Sequence, residues 1–246
     1  RLITFQPWPC GALPTCWPPF DDHHPRSAAQ PAQLKTCGLM PPPQAAAVAG
    51  LGANAIGVIA ARRSARFLAP AQRPALWEAV AGANPNCCRV LVVVNPSDSE
   101  LESLRPEQGH QLLQLHGEET PERCQQLRDE LGLPLWKALR IRSAADLQQA
   151  QAYSAVVDGL LLDAWSDSAH GGTGERLPLQ WLQGFQPLLP WWLAGGLGPS
   201  NARSALDQLA QQGLTPTGLD ASSGVEQAPG LKDLQLVEAL IKAVHG

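Results

Sequence analysis

The feature that most constrains this chain is a repeated alternation between short apolar runs and longer segments of helical spacing. From Gln33 onward, each apolar run is followed, after a Gly, Pro, Asn or Asp, by a segment whose apolar residues recur with helical periodicity. This alternation indicates βα units and a parallel sheet. Eight runs have the character of buried strands: Gln33–Thr36, Ala55–Ala60, Arg89–Val94, Leu112–Leu115, Leu135–Ala138, Gly159–Leu162, Trp191–Leu193 and Gly218–Leu219.

Eight such units in about 214 residues predict an α/β fold, a single (β/α)8 TIM barrel. The strand runs are apolar throughout, as expected of parallel strands that helices cover on the outside. A doubly wound sheet is the alternative that the pattern leaves open. In a barrel the active site lies at the carboxyl ends of the strands, so the residues after each strand are the candidates for chemistry.

The chain divides into residues 1–31, which we expect to be an unstructured extension, and residues 32–246, which we expect to form the barrel. The extension carries seven of the 23 prolines, and these interrupt every apolar core that a secretory signal would need. It shows no apolar periodicity, so we expect it to bury too little apolar surface to offset the entropy lost on ordering. We therefore expect it to be neither a signal peptide nor part of the fold.

Composition narrows the classes of partner and the compartment. With 18 basic and 22 acidic residues, a net charge of -4 and no block of five like charges, the chain gives no sign of nucleic-acid or membrane-surface binding. The longest aliphatic run, Val90–Val94, is far shorter than a membrane span. Six cysteines without a CxxC pair predict neither a zinc site nor a disulfide framework, which favours the reducing cytoplasm.

Two strand ends carry groups suited to proton transfer or binding. Lys35 and Cys37 share one face of the first strand, and a nearby cation could lower the pKa of the thiol, although a lone cysteine is commonly a small buried hydrophobe. After the second strand, residues 62–66 form the basic cluster Arg-Arg-Ser-Ala-Arg. Such a cluster is either a solvated turn or a place where a guanidinium binds a carboxylate through two hydrogen bonds.

The fourth, fifth and sixth strands each end near an ionisable side chain. His116 is a candidate proton carrier, with a structural histidine as the alternative. Lys137, predicted at the barrel mouth, could form a Schiff base, but a positioning ion pair is the preferred interpretation. Asp163 closes an apolar run, where it is either a turn former or a carboxyl group projecting into the barrel mouth.

Glycine-rich segments follow the last three strands. Gly171-Gly172-Thr173-Gly174 indicates a loop that folds over a substrate. Ala194-Gly195-Gly196-Leu197-Gly198 follows the seventh strand, and Asp220-Ala221-Ser222-Ser223-Gly224 begins at the end of the eighth. Backbone N–H groups and serine hydroxyls in these two loops suit an anion, and many barrels bind phosphate at this place. The order of the loops predicts a phosphate site.

Taken together, these segments resemble those of the phosphoribosylanthranilate isomerases, a family of barrels from the tryptophan pathway. The matching segments run in the family's order from about residue 33 to the C-terminus: Lys35-Thr36-Cys37-Gly38, Gly52-Ala53-Asn54-Ala55-Ile56-Gly57, Ser64-Ala65-Arg66, Gln114-Leu115-His116-Gly117, Leu161-Leu162-Asp163, Gly171-Gly172-Thr173-Gly174, Ala194-Gly195-Gly196-Leu197 and Asp220-Ala221-Ser222-Ser223-Gly224-Val225-Glu226. The resemblance implies an Amadori rearrangement of N-(5-phosphoribosyl)anthranilate that uses no cofactor and no metal.

The resemblance also implies roles for single residues. Cys37 would be the general base and Asp163 the general acid of the rearrangement. The implied binding residues are Arg66 for the anthranilate carboxylate, Gly171 and Gly172 in the covering loop, and Gly195, Gly196, Ser222 and Ser223 for phosphate. The expected partner is a small phosphorylated substrate, with no nucleic acid and no membrane, and the expected state is a monomer or weak homodimer.

Departures from the family pattern and rival functions complete the sequence interpretation. Thr36 replaces a common aliphatic residue, Ala60-Ala61 an aromatic pair, and Ala65 a proline.

The histidine-pathway aminoaldose isomerase would use two aspartates, so Cys37 argues against it. Indole-glycerol-phosphate synthase would need a lysine acid, and Lys137 alone does not supply the rest of that site. A barrel that binds a phosphorylated ligand without catalysis is the alternative from another class.

Overall fold

The computed structural model describes residues 31–164 and 176–245. Its barrel strands are β1 Gln33–Cys37, β2 Ala55–Ile59, β3 Cys88–Val93, β4 Leu112–Leu115, β5 Leu135–Ile141, β6 Gly159–Ala164, β7 Trp191–Leu193 and β8 Gly218–Ala221. Neighbouring strands pair in parallel in chain order, and β8 pairs with β1 to close the ring. The predicted (β/α)8 barrel is confirmed, and the doubly wound sheet, which would stay open, is wrong.

Two sequence predictions lie outside the described residues. The first is the extension, of which only Pro31 belongs to the described part. The second is the covering loop that contains Gly171 and Gly172. Both remain predictions.

The predicted strands agree with the structure to within a few residues. β4 and β7 have the predicted bounds, whereas β5 continues past Ala138 to Ile141. β8 continues past Leu219 to Ala221, which brings Asp220 into the strand. Because side chains alternate along a strand, Asp220 lies on the opposite face to Leu219.

The helices outside the barrel are less regular than the strands. The α-helices of the described ranges are α1 Pro42–Gly50, α2 Arg73–Ala83, α3 Pro121–Leu131, α4 Ala150–Tyr153, α5 Ala202–Gln211 and α6 Leu234–His245. After β3 the chain forms a 3-10 segment, Asp98–Leu104, which ends before Arg105 because Pro106 disfavours a helical conformation at the residue before it. α3 begins after Thr120, whose Oγ1 accepts a hydrogen bond from the Arg123 N–H, as is typical of a threonine at the N-cap.

A short hairpin follows β8 and precedes α6. Its strands are β9 Glu226–Ala228 and β10 Leu231–Lys232, which pair antiparallel. Gly230 sits in the turn with a positive φ of 82°, a conformation that costs a glycine little. The hairpin brings Lys232 back beside Glu226.

Two apolar clusters divide the core. The larger one joins outward-facing strand residues such as Leu34 to helix residues such as Val48. The smaller one contains residues of strands and strand ends alone, so it lies inside the barrel. There Trp136 and Trp192 stack with ring centroids 4.9 Å apart, and Gly218 leaves space for the Trp192 ring. These rings fill the amino-terminal part of the barrel, which leaves the carboxyl ends of the strands for a ligand.

Lys137 lies between the barrel and its helices, not in the barrel mouth as the sequence interpretation placed it. Its neighbours Trp136 and Ala138 belong to the interior cluster, so Lys137 faces outward. Its Nζ donates to Glu119 Oε2 at 2.8 Å and to the Gly117 carbonyl at 2.6 Å. The preferred ion pair is confirmed, and the Schiff-base alternative is wrong.

Within residues 31–164 and 176–245, no helix combines the length and the apolar character needed to cross a bilayer.

Candidate active site

A cavity of about 1090 Å³ opens at the carboxyl ends of the barrel strands. Every predicted site residue of the described ranges lines it: Cys37, Arg66, Asp163, Gly195, Gly196, Ser222 and Ser223. These residues come from β1, β6 and the loops after β2, β7 and β8. Closure of the barrel therefore brings together, in one cavity, groups that are far apart along the chain.

Cys37 ends β1 with its side chain inside the barrel. It pairs in register with Gly57 of β2, and a Cβ atom built on Gly57 would lie only 2.7 Å from Cys37 Sγ. Glycine at position 57 thus provides the space that the thiol occupies. Cys37 is 6% exposed, and this burial raises the pKa of the thiol, while the neighbouring Lys35 ammonium opposes the rise.

An ion pair lies beside Cys37 in the barrel interior. Lys35 and Asp220 are register partners on β1 and β8, and Lys35 Nζ donates to Asp220 Oδ2 at 2.8 Å. Both residues are buried. Burial acts to lower the pKa of Lys35, but attraction to Asp220 outweighs it and raises that pKa. Lys35 is therefore a fixed positive charge next to the thiol.

Asp163 projects from β6 and accepts a hydrogen bond from His116. His116 Nε2 lies 3.2 Å from Asp163 Oδ2, and Gln114 Nε2 lies 3.0 Å from His116 Nδ1. With the amide nitrogen of Gln114 as donor, Nδ1 accepts and Nε2 carries the ring proton. This chain of contacts orients the Asp163 carboxyl group at the cavity wall.

Arg66 is the arginine of the basic cluster with the most extensive contacts in the site. Its guanidinium binds Glu226 through two nitrogens, with Nη2 2.6 Å from Oε2 and Nε 2.9 Å from Oε1. Glu226 also accepts from Lys232 Nζ at 2.7 Å. Burial acts against the charged carboxylate, but the hydrogen bonds from Arg66 and Lys232 outweigh it and lower the pKa of Glu226. Arg66 is thus held in one orientation at the cavity.

The loops after β7 and β8 contact each other, and the loop after β8 also contacts Cys37. Gly195 and Gly196 have positive φ angles of 95° and 58°, which bend the first loop sharply. Ser222 Oγ donates to the Cys37 carbonyl at 3.1 Å, and Lys232 Nζ donates to the Ser222 carbonyl at 3.1 Å. Because the Ser222 hydroxyl hydrogen is engaged, an anion in these loops would depend on backbone N–H groups and on Ser223.

The positions that depart from the family pattern fall around this site. Ala60, Ala61 and Ala65 line the cavity, so smaller side chains stand where larger ones are common. Thr36 faces away from the barrel interior, and its buried Oγ1 has no hydrogen-bond partner among the described residues. Over the same ranges, no group of three or more His, Cys, Asp or Glu side chains could hold a metal ion.

Sequence reasoning missed several residues of the site. Glu226 belongs to the last of the segments that carry the family resemblance, but the resemblance gives it no role. No pattern in the sequence singles out Lys232. Asp220 closes an apolar run just as Asp163 does, and this shared pattern was the available signal. Nothing local indicates that Lys232 returns to Glu226, because that contact depends on the β9–β10 hairpin.

Comparison with known proteins gives one consistent result. Residues 34–243 match the family model described as N-(5'phosphoribosyl)anthranilate (PRA) isomerase. The chain is 49% identical over 213 residues to the N-(5'-phosphoribosyl)anthranilate isomerase of Synechococcus elongatus, covering 86% of this chain and 95% of the relative.

Solved structures agree with the sequence relatives. The phosphoribosyl anthranilate isomerase of Thermotoga maritima matches with a TM-score of 0.76 and 27% identity, covering 87% of this chain and 98% of the other. A phosphoribosyl anthranilate isomerase solved with reduced 1-(o-carboxyphenylamino)-1-deoxyribulose 5-phosphate matches with a TM-score of 0.70 and 28% identity. That match covers 87% of this chain and 98% of the other.

Proposed function

Since this chain belongs to the N-(5'-phosphoribosyl)anthranilate isomerase family and is an aldose–ketose isomerase of tryptophan biosynthesis, we propose that Cys37 is its general base and Asp163 its general acid. The observation that carries this proposal is that both side chains, from β1 and β6, line one cavity at the barrel mouth. Both are buried, so bulk water has little access to the protons that they transfer.

The rearrangement needs an acid and a base in opposite protonation states at one pH. Asp163 donates its proton to the ring oxygen of N-(5-phosphoribosyl)anthranilate, the bond from C1 to that oxygen breaks, and the anthranilate nitrogen forms a protonated imine with C1. The Cys37 thiolate then takes the C2 proton, and the electron pair of that C–H bond forms the enolamine. Tautomerisation of the enolamine gives 1-(2-carboxyphenylamino)-1-deoxyribulose 5-phosphate.

Two anion sites would bind the ends of this substrate. Arg66 is assigned to the anthranilate carboxylate, because its guanidinium lines the cavity and Glu226 holds it in place. The phosphate is assigned to the loops with Gly195, Gly196, Ser222 and Ser223, whose backbone bends bring N–H groups to the same cavity. The loop with Gly171 and Gly172 is assigned to cover the bound substrate. The reduced product bound to a relative supports this class of substrate.

The remaining features of the proposal follow from the chemistry and from the described surface. Each step is a proton transfer or a bond cleavage that a proton drives, so the reaction requires no cofactor and no metal.

Few large apolar side chains are exposed among the described residues, with Leu188 the most exposed at 69%. This supports a monomer or weak homodimer. The expected compartment is the cytoplasm, and no nucleic acid or membrane takes part.

The test is a fluorescence assay that follows the loss of N-(5-phosphoribosyl)anthranilate with purified protein. Cys37→Ala removes the base, so turnover should be lost while a product analogue still binds within about tenfold, or about 1.4 kcal/mol. Asp163→Asn keeps the shape of the side chain without its transferable proton and should lose at least about a hundredfold in kcat.

Cys124→Ala is the matched control for the thiol. Cys124 is also a buried free cysteine, but it lies on α3 outside the barrel, so its loss should leave kcat unchanged. Full activity of Cys37→Ala would contradict the assigned base. Binding of a product analogue by a wild-type protein without turnover would instead favour a ligand-binding barrel.

A further inference from the structure

We propose that the buried ion pair between Lys35 and Asp220 sets the fraction of Cys37 present as thiolate, which makes both residues positioning residues for the base. This inference rests on the proposed function, in which Cys37 accepts a proton from carbon. It concerns two residues that the assigned roles leave unused. It also predicts that the two members of one ion pair act on the thiol in opposite directions.

The backbone places Lys35 and Cys37 side by side. They are two residues apart on β1, so their side chains share the interior face of the barrel. Gly57 on β2 provides the space for both, because a Cβ atom built there would lie 2.7 Å from Cys37 Sγ and 3.1 Å from Lys35 Cε. The end of the lysine side chain and the thiol are therefore neighbours above one glycine.

Asp220 holds the ammonium group in this place from the other side. It stands opposite Lys35 in the register of β8 against β1, and the hydrogen bond from Nζ to Oδ2 measures 2.8 Å. Asp220 lines the same cavity as Cys37. Its second oxygen, Oδ1, is buried without a hydrogen-bond partner among the described residues. Among the described residues, Lys35 is thus the only hydrogen-bond partner of the Asp220 carboxylate.

The position of the pair indicates a role beyond stability. Lys35 is fully buried and Asp220 is 8% exposed, and burying two charges costs about as much free energy as their attraction returns. Replacing a buried ion pair by apolar side chains of similar volume often leaves stability unchanged or raises it. A pair that adds little stability and lies beside Cys37, the only cysteine among the described residues that line the cavity, is expected to act on that cysteine.

The sign of each effect on Cys37 follows from charge. Burial raises the pKa of the thiol, the Lys35 ammonium lowers it by stabilising the thiolate, and the Asp220 carboxylate raises it by repelling the thiolate. The other charged groups that face the thiol are Lys232 on β10, Arg66 after β2, and the Asp163 and His116 pair across the cavity. Lys232 and Arg66 share Glu226 as a counterion. Lys35 is the charged residue nearest to Cys37 in the sequence, two positions away on β1.

The experiment measures how fast iodoacetamide alkylates Cys37 as a function of pH, with mass spectrometry to identify the modified residue. Lys35→Met should move the midpoint of this profile to higher pH by about one pH unit or more, and Asp220→Asn should move it to lower pH by a similar amount. The acidic limb of kcat/KM against pH should move in the same two directions. Lys137→Met is the matched control, because it breaks an equally buried lysine pair outside the barrel and should leave the midpoint unchanged.

Shifts in the same direction, or no shift in either variant, would overturn the proposal. If Lys35→Met does not fold, Asp220→Asn decides alone, since it keeps the size of the side chain. A fall in its midpoint supports the proposal, and a rise or no change overturns it. Alkylation does not depend on turnover, so failure of this inference is distinguishable from failure of the proposed function, which activity of Cys37→Ala would reveal.

Discussion

His116 Nε2 donates a hydrogen bond to Asp163 Oδ2 over 3.2 Å, and so joins the ends of β4 and β6 across the candidate active site. The sequence left His116 open as a proton carrier or a structural residue. Its contact with Asp163 favours a third role, in which the imidazole ring orients the carboxyl group that is assigned as the acid. Gln114 fixes the ring through its other nitrogen, at 3.0 Å.

Replacing His116 by Phe should lower kcat by about tenfold or more and leave KM nearly unchanged. The substitution keeps a ring of similar size but frees the Asp163 carboxyl group to rotate, and small misplacements of a catalytic group reduce rates strongly. Steady-state kinetics on the folded variant is the measurement. His110→Asn is the control, because His110 is a buried histidine that bonds the Leu104 carbonyl and does not itself line the cavity. An unchanged kcat in His116→Phe would show that Asp163 needs no orienting group.

Replacing Arg66 by Ala should raise KM strongly and change kcat less. In the proposed role, Arg66 makes a charge-assisted contact with the anthranilate carboxylate that stabilises the bound substrate and the transition state alike, and the variant would lose it. Arg66→Lys keeps the charge without the two parallel donors. Its KM should therefore lie between that of the wild-type protein and that of Arg66→Ala. Product analogues with and without the carboxylate provide the control. If both analogues lose the same affinity in Arg66→Ala, the arginine does not bind that group.

Replacing Lys137 by Met should reduce the free energy of unfolding by about 3 to 5 kcal/mol and leave KM unchanged. Lys137 and Glu119 are both buried, and removing the lysine leaves the Glu119 carboxylate buried without its cation, held by the backbone N–H groups of Asn95 and Gly117. Urea unfolding followed by circular dichroism measures the loss. The double variant Lys137→Met and Glu119→Gln should recover part of it, because the neutral amide oxygen still accepts from those N–H groups. Unchanged stability in the single variant would mean that Glu119 is satisfied without the lysine.

Deleting residues 1–30 should leave turnover and the melting temperature unchanged. β1 begins at Gln33, so the barrel can close without this segment, whose prolines interrupt any regular strand or helix. Comparing the shortened chain with the full chain by thermal unfolding and by the fluorescence assay tests this. A fall of more than a few degrees, or a loss of activity, would show that the segment packs on the barrel.

The barrel and much of its site could be predicted because their signals are local. Each strand is a short apolar run with a turn residue after it, and Cys37 and Asp163 are polar groups at the ends of such runs. The barrel then brings every strand end to one mouth. For this reason the predicted fold alone groups Cys37, Arg66 and Asp163 at one site, and all three line the cavity.

The rest depended on information that no local pattern contains. Lys137 was assigned to the mouth because β5 was predicted to end at Ala138, and a strand buried on both faces shows no alternation that reveals which side chains point inward. The pair between Lys35 and Asp220 joins residues 185 positions apart. Only the closure of β8 on β1, with its register, determines that contact.

The hairpin after β8 has a consequence for the size of molecule that the site selects. Glu226 at its start binds Arg66, and Lys232 at its end binds both Glu226 and the Ser222 carbonyl. One short segment of chain thus fixes the span between the place assigned to a carboxylate and the place assigned to a phosphate. A ligand must match that span to occupy both places, so a sugar phosphate without the aromatic acid reaches only one of them.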